Sequence, residues 1–353
     1  MKKGVKCVVW DLDHTLWDGI LLESDDVKLK EHIKEILTEL DERGILLSVA
    51  SRNDEAAAME KLKEFGIDHF FLYPEISWNA KSVSLEKISK NLNIHKDTLL
   101  FIDDQAFERE EVKNAHPEIS CWDAVRYKDL IVDPLLKPAF VTEDAKRRRQ
   151  MYLEDDRRKE DEEQFEGPSE QFLATLNMKF TISHAQESDL QRAEELTVRT
   201  NQLNASGKTY DYQELNYFRE SDSHMLLVCE LEDKYGSYGK IGLSLIEEKG
   251  DEWHINLLLM SCRVMSRGVG TILLTAILNE AKQKGKKLFA DFKQTDRNRV
   301  MYITYKFANF KEHTKGPDGY ILFENDLSQI QPYPAYVEVK TEFSQSPVAG
   351  SSN

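Results

Sequence analysis

Two aspartates one residue apart, Asp11 and Asp13, directly follow the apolar run Cys7-Val8-Val9-Trp10. Carboxylates leaving a strand end can attack an electrophile, move a proton or hold a cation. Equally, they can cap the turn that follows. Three further apolar runs in the first half also lead into polar groups. The run at 45–50 meets Ser51, the run at 70–73 is followed by Lys81, and the run at 98–102 meets Asp103 and Asp104. A hydroxyl, an ammonium and four carboxylates would therefore collect at one sheet edge. Closely placed carboxylates repel one another unless a cation neutralises them, and hard oxygen donors favour Mg²⁺. Lys81 would offset phosphate charge and Ser51 would bond a phosphoryl oxygen, so the set suits phosphoryl chemistry.

A second set lies in the other half. Met265-Ser266-Arg267-Gly268-Val269-Gly270-Thr271 stands between an apolar run at 257–260 and a helical pattern. Gly268 and Gly270 would let backbone N–H groups and a helix N-terminus face a pyrophosphate. A glycine turn into a helix needs no ligand, however. Cys262, beside Arg263, reads either as a nucleophilic thiol or as a small core residue. Cys121 is a weaker thiol candidate, and Cys7 and Cys229 read as core. Thr200, Asn201 and Asn204 either line a substrate pocket or end a helix. His254 reads as a structural histidine or a base.

The elements that must position these residues follow from the pattern. From residue 5 to about 133, apolar runs alternate with amphipathic segments at 30–43, 54–65 and 82–92, and with a helix from Phe107. This is the mark of an α/β domain with a parallel sheet, whose strand ends share one ligand edge. Residues 1–140 are assigned to it. Residues 141–177 read as a linker: between 142 and 167 the chain is densely charged, and it is expected to form a mostly exposed helix ended by Gly167-Pro168. Strand-like runs at 180–183, 225–230, 239–247 and 253–261, with helices at 189–201 and from the glycine turn to about 285, predict an α+β domain over 178–330. The tail 331–353, rich in Ser, Gly and Pro from Phe343, is expected to be partly disordered.

With 353 residues and 41% hydrophobic content the chain can build two packed cores. Its net charge of -16 argues against a phosphate-backbone binder. Four scattered cysteines without a CxxC pair suggest neither a zinc site nor a disulfide framework. No stretch approaches the roughly 20 apolar residues of a membrane span and no signal-type apolar region opens the chain, so a cytoplasmic protein is expected.

The first half resembles the haloacid dehalogenase-like (HAD) superfamily through Asp11-Leu12-Asp13-His14-Thr15, Ser51, Lys81 and Asp103-Asp104. That resemblance implies a Rossmannoid fold with Asp11 as nucleophile, Asp13 as general acid/base and backbone Mg²⁺ ligand, and Asp103 with Asp104 completing the metal site. The second half, with Arg297-Asn298-Arg299 and 300–310 added to the glycine loop, resembles GNAT-type acyltransferases. A phosphopantetheine arm would then lie along Arg263, Arg267, Gly268 and Gly270. Met265 departs from the Arg or Gln usual in that loop.

The whole chain resembles the FkbH-like family of polyketide biosynthesis. The matching stretches include Cys7-Val8-Val9-Trp10-Asp11-Leu12-Asp13, Ser48-Val49-Ala50-Ser51-Arg52-Asn53-Asp54, 195–204 and 258–270. Members are glyceryl transferases, which take 1,3-bisphosphoglycerate and load its glyceryl group on the phosphopantetheine thiol of an acyl carrier protein, with loss of both phosphates. The resemblance places Thr15, Arg52, Asn53, Asn201 and Asn204 at the substrate. Some relatives have Cys where this chain has Ala50, so an enzyme-bound thioester would fall to another thiol, Cys262 first. Carrier proteins are typically acidic, so a basic patch is expected at Arg263, Arg267, Arg297 and Arg299.

Overall fold

The computed structural model describes residues 4–24, 26–138 and 141–343. The chain divides into two compact units, the first ending at Leu153 and the second starting at Glu154.

In the first unit the order is β1 (Cys7–Trp10), β2 (Trp17–Asp18), β3 (Lys28–Leu29), α1 (Ile33–Glu42), β4 (Leu46–Ser51), α2 (Glu55–Glu64), β5 (Glu75–Ile76), α3 (Lys81–Asn91), β6 (Leu99–Asp103), α4 (Ala106–Ala115) and β7 (Ser120–Asp123). The main sheet has the order β5-β4-β1-β6-β7, and all its pairs are parallel. β1 is fully buried between neighbours on both sides, which suits its unbroken apolar sequence. Helix α1 buries Ile33, Ile36, Leu37 and Leu40, one stripe at helical spacing. Helix α2 starts where Asp54 accepts from the Ala57 amide, an N-cap that ends the polar turn after β4. Gly44 turns the chain from α1 into β4 at φ 69°, where a Cβ would meet Arg148 and the Ala145 carbonyl.

One strand lies later than expected. Residues 70–73 are not an element of the sheet ladder: Asp68–Phe70 is a 3₁₀ turn, Phe71 makes only an isolated bridge to Leu47, and the strand follows at Glu75–Ile76. Tyr73, in the left-handed region at φ 49°, and Pro74 break the run that periodicity extends.

After a short helix α5 (Glu143–Lys146) comes α6 (Arg148–Gln164), in the stretch expected to be an exposed linker. It is not simply solvated. Arg149 holds Asp41 through two hydrogen bonds of 2.9 and 3.1 Å. Arg158 is fully buried and grips Asp233 at 2.7 and 2.9 Å. Charge density signals exposure only where the charges lack opposite partners, which tertiary neighbours supply here.

The second unit continues with α7 (Ser169–Thr175), β8 (Met178–His184), α8 (Leu190–Arg199), α9 (Tyr212–Glu220), β9 (His224–Asp233), β10 (Gly236–Lys249), β11 (Glu252–Met260), α10 (Ile272–Gln283), β12 (Lys287–Lys293), α11 (Arg299–Phe307), β13 (Lys311–Lys315), β14 (Tyr320–Asn325) and β15 (Val337–Thr341). Its eight-stranded sheet runs β13-β14-β12-β11-β10-β9-β8-β15. Only β11 with β12 and β15 with β8 are parallel. Residues of α10 and α11 enter one core cluster and those of α8 and α9 another, so helices cover both faces. The expected sequence of a parallel α/β sheet followed by an α+β unit is what the chain forms. The predicted tail is partly ordered: β15 lies within it and Phe343 is buried, while 344–353 lie outside the described residues.

Candidate phosphoryl-transfer site

The parallel sheet carries the ends of β1, β4 and β6 side by side, and Lys81 opens α3 beside them. Asp11, Ser51, Lys81 and Asp103 are all at least 95% buried there, an unusual depth for three charged groups. Lys81 explains how they coexist. Its Nζ donates to Asp11 Oδ1 at 2.5 Å, to the Ala50 carbonyl at 2.8 Å and to Asp103 Oδ2 at 3.1 Å. Burial alone would pull the ammonium down, but Asp11 and Asp103 outweigh it and hold Lys81 above its ordinary value.

One ammonium does not balance three carboxylates. Asp11, Asp103 and Asp104 each bring an oxygen to within 4.8 Å of the others. Burial pushes Asp103 up to about 7; Lys81 works against this and Asp11 adds to it. Asp104 is likewise raised, by burial first and then by Asp11. Asp104 Oδ1 is buried without a hydrogen-bond partner. Three converging carboxylates, one of which also has an unpartnered buried oxygen, fit a divalent cation of the Mg²⁺ type, which would relieve the repulsion.

Asp13 stands apart from this trio. Its Oδ1 accepts from Trp17 Nε1 at 2.8 Å and from the Leu21 amide at 3.1 Å, and its Oδ2 from Asn53 Nδ2 at 3.0 Å. Its side chain is thus not among the clustered carboxylates, and three N–H donors fix its direction. The intervening turn is tight: His14 adopts φ 54°.

Two expected substrate contacts are internal. Thr15 is fully buried and its Oγ1 accepts from the Asp104 amide at 3.1 Å, tying the turn after β1 to the end of β6. Asn53 is buried on Asp13. Both partners are distant in sequence, 89 residues away for Thr15 and 40 for Asn53. Arg52 is exposed enough to meet a ligand, but it donates to the Asn79 carbonyl and pairs with Glu108 at 3.1 Å. Trp17, Glu108 and Arg109, which donates to the Asp103 carbonyl at 2.7 Å, were not foreseen. The sole trace of Arg109 in the sequence is its place one turn into the helix after Asp103-Asp104.

In the second unit Cys262 is exposed at the start of the 3₁₀ turn Cys262–Arg267. Cys121 is half-buried with its thiol pushed up to about 11 by burial, so it is a poor nucleophile. Arg267 is not a surface anion ligand. It is 1% exposed and ion-paired with Asp155 at 2.9 Å and Glu162 at 3.3 Å, which also removes it from the expected basic patch. Arg263 donates to the Tyr238 carbonyl, while Arg297 and Arg299 are exposed. Gly268 has the Tyr336 hydroxyl where a side chain would start, whereas Gly270 faces open space. Asn204 is buried and closes its own loop through Lys208 and Gly207; Asn201 is exposed. His254 stacks on Phe289 and contacts Glu252.

Residues 17–118 match the family described as haloacid dehalogenase-like hydrolase. A human protein named magnesium-dependent phosphatase 1 is 28% identical over 124 residues, which covers 30% of this chain and 70% of that protein. The first unit thus resembles haloacid dehalogenase-like hydrolases over a span that includes Ser51, Lys81, Asp103 and Asp104 and begins after Asp11 and Asp13. Among solved structures, the N-terminal part of a Bacteroides fragilis protein, containing a phosphatase domain complexed with Mg, is 25% identical with a TM-score of 0.36. That match covers 39% of this chain and 42% of the Bacteroides chain. The ribosomal-protein-S18-alanine N-acetyltransferase of Escherichia coli is 16% identical with a TM-score of 0.34, over 44% of this chain and 97% of its own.

Proposed function

We propose that the protein is a Mg²⁺-dependent phosphoryl-transfer enzyme of the HAD type, and more finely a glyceryl transferase acting on an acyl carrier protein. The observation that carries the phosphoryl reading is the buried set of Asp11, Asp103 and Asp104 around Lys81, with the orphaned Asp104 oxygen. Mg²⁺ held by these carboxylates would neutralise phosphate charge and orient the phosphoryl group. Asp11 would form the P–O bond to phosphorus as the ester oxygen leaves, and Lys81 would screen the transferred charge. Asp13, steadied by Trp17 and Asn53, would give a proton to the leaving oxygen and take one from the water that cleaves the aspartyl phosphate.

The finer reading is supported by the FkbH-like resemblance over both units. With 1,3-bisphosphoglycerate, the carrier's thiolate forms a C–S bond to the acyl carbon and the C–O bond to phosphate breaks; an acyl phosphate is already activated for this. Asp11 then removes the remaining phosphomonoester. Cys262, exposed, is the thiol available for an enzyme-bound thioester if one precedes the carrier. We place the reaction in the reducing cytoplasm, where the four free thiols stay reduced.

The test is incubation with Mg²⁺, 1,3-bisphosphoglycerate and a phosphopantetheinylated carrier, followed by intact mass spectrometry. A glyceryl adduct on the carrier, absent with Asp11→Asn in its dephosphorylated form, supports the transferase. An enzyme adduct lost in Cys262→Ala assigns the thioester to that thiol. Phosphate release with no adduct leaves a Mg²⁺-dependent phosphatase, the simpler second reading that the matched hydrolase family favours.

A further inference from the structure

The second unit's β11 and β12 pair in parallel over four registers, from Glu252 with Lys287 to Ile255 with Ala290, and then part. β11 continues to Met260 and β12 to Lys293. Two parting strands leave N–H and C=O groups facing each other across a gap. An extended ligand with its own amides, such as a pantetheine arm, would pair with them as an added strand.

Here the chain supplies that strand itself. The Met260 amide donates to the Leu203 carbonyl at 2.9 Å, the Ala205 amide donates to the Leu258 carbonyl at 3.0 Å, and Asn204 forms an antiparallel bridge with Leu259. On the other side the Lys293 amide donates to the Ala205 carbonyl at 3.0 Å. The segment 203–205 is thus bonded to both parting strands. Asn298, fully buried, pins it: its Nδ2 donates to the carbonyls of Asn204 at 3.0 Å and Lys293 at 2.9 Å.

The glycine loop that would take the arm's phosphate is also committed. Arg267 faces the carboxylates of Asp155 and Glu162, which would repel a phosphate, and the Tyr336 hydroxyl stands against Gly268.

We infer that the second unit keeps this groove closed with its own strand and does not take up a pantetheine arm there, whether from coenzyme A or from a carrier protein. On the carrier-loading reading proposed above, the carrier thiol would reach the acyl phosphate without using the groove. The inference concerns the second unit alone and does not depend on the phosphoryl reading of the first.

The test is hydrogen exchange on the full chain, with and without coenzyme A, together with a calorimetric titration of coenzyme A. Slow exchange at the Ala205, Met260 and Lys293 amides, unchanged by saturating coenzyme A, is expected. Binding heat with those amides still slow also leaves the groove closed. Binding accompanied by faster exchange at Ala205, as the segment gives way to the ligand, overturns the inference. Asn298→Ala should speed exchange at Ala205 and Lys293 about tenfold through loss of the pinning bonds. Unchanged exchange in that variant overturns the pinning, and if it does not fold, the wild-type titration still decides.

Discussion

Lys81 is the residue on which the first site turns, because it touches two carboxylates that would otherwise repel each other in a buried setting. Lys81→Met removes the ammonium and keeps the stem. It should lower kcat for phosphomonoester hydrolysis by about 10² to 10³, the usual loss for one preorganised electrostatic partner, with KM changing less. Steady-state kinetics with a small phosphomonoester check this. Thiol reactivity should divide the cysteines just as sharply. Cys262 is exposed, whereas burial raises the thiols of Cys7 and Cys229 well above the ordinary value and Cys121 to about 11. Iodoacetamide near neutral pH should label Cys262 first and the buried pair only after unfolding, as read by peptide mass mapping.

At the level of elements, α6 and β9 are joined through Arg158 and Asp233, both without solvent exposure. Asp233 Oδ2 also accepts from the Tyr238 hydroxyl at 2.9 Å, so the carboxylate is fully engaged. Arg158→Ala leaves that charge buried with its cation gone and should cost about 3–5 kcal/mol in urea unfolding, far more than an exposed pair such as Arg126 with Asp129. The end of β8 supplies a pH dependence. Burial, with Lys284 nearby, holds the His184 imidazole below its ordinary 6.5, against the opposing pull of the Phe343 backbone. The unfolded chain therefore binds the proton first as pH falls. This contribution to stability is present above about 6.5 and fades as pH drops through the window below it. Unfolding midpoints between pH 7.5 and 5 should consequently fall less in His184→Gln than in the wild type.

For the whole molecule, a cation that binds only the folded first unit should stabilise it by mass action, about 2.7 kcal/mol at a concentration 100 times Kd. Hydrogen exchange with Mg²⁺ should slow around β1, β6 and α3 and leave the second unit unchanged; chelation with EDTA should reverse it. Equal protection in both units would contradict the assignment of the cation to Asp11, Asp103 and Asp104. Among the described residues no helix is long and apolar enough to cross a membrane.

Much of the first site was legible in the chain itself. Strands β1, β4 and β6 announce themselves by unbroken apolar runs, a parallel sheet aligns their ends, and Asp11, Ser51 and Asp103 fall at those ends by local chain geometry. The two sheet types also follow from the order of the runs. What the sequence left open depends on partners far away along the chain. Thr15 and Asn53 look ligand-facing until Asp104 and Asp13 take their polar atoms, and Arg267 looks like a phosphate ligand until Asp155 and Glu162 reach it across more than a hundred residues. The closed groove of the second unit is the clearest case. Its bonds join the backbone of 203–205 to β11 and β12, and backbone amides are alike in every residue. Residue identity therefore fixes which side chains can do chemistry, while tertiary structure decides which remain free to do it.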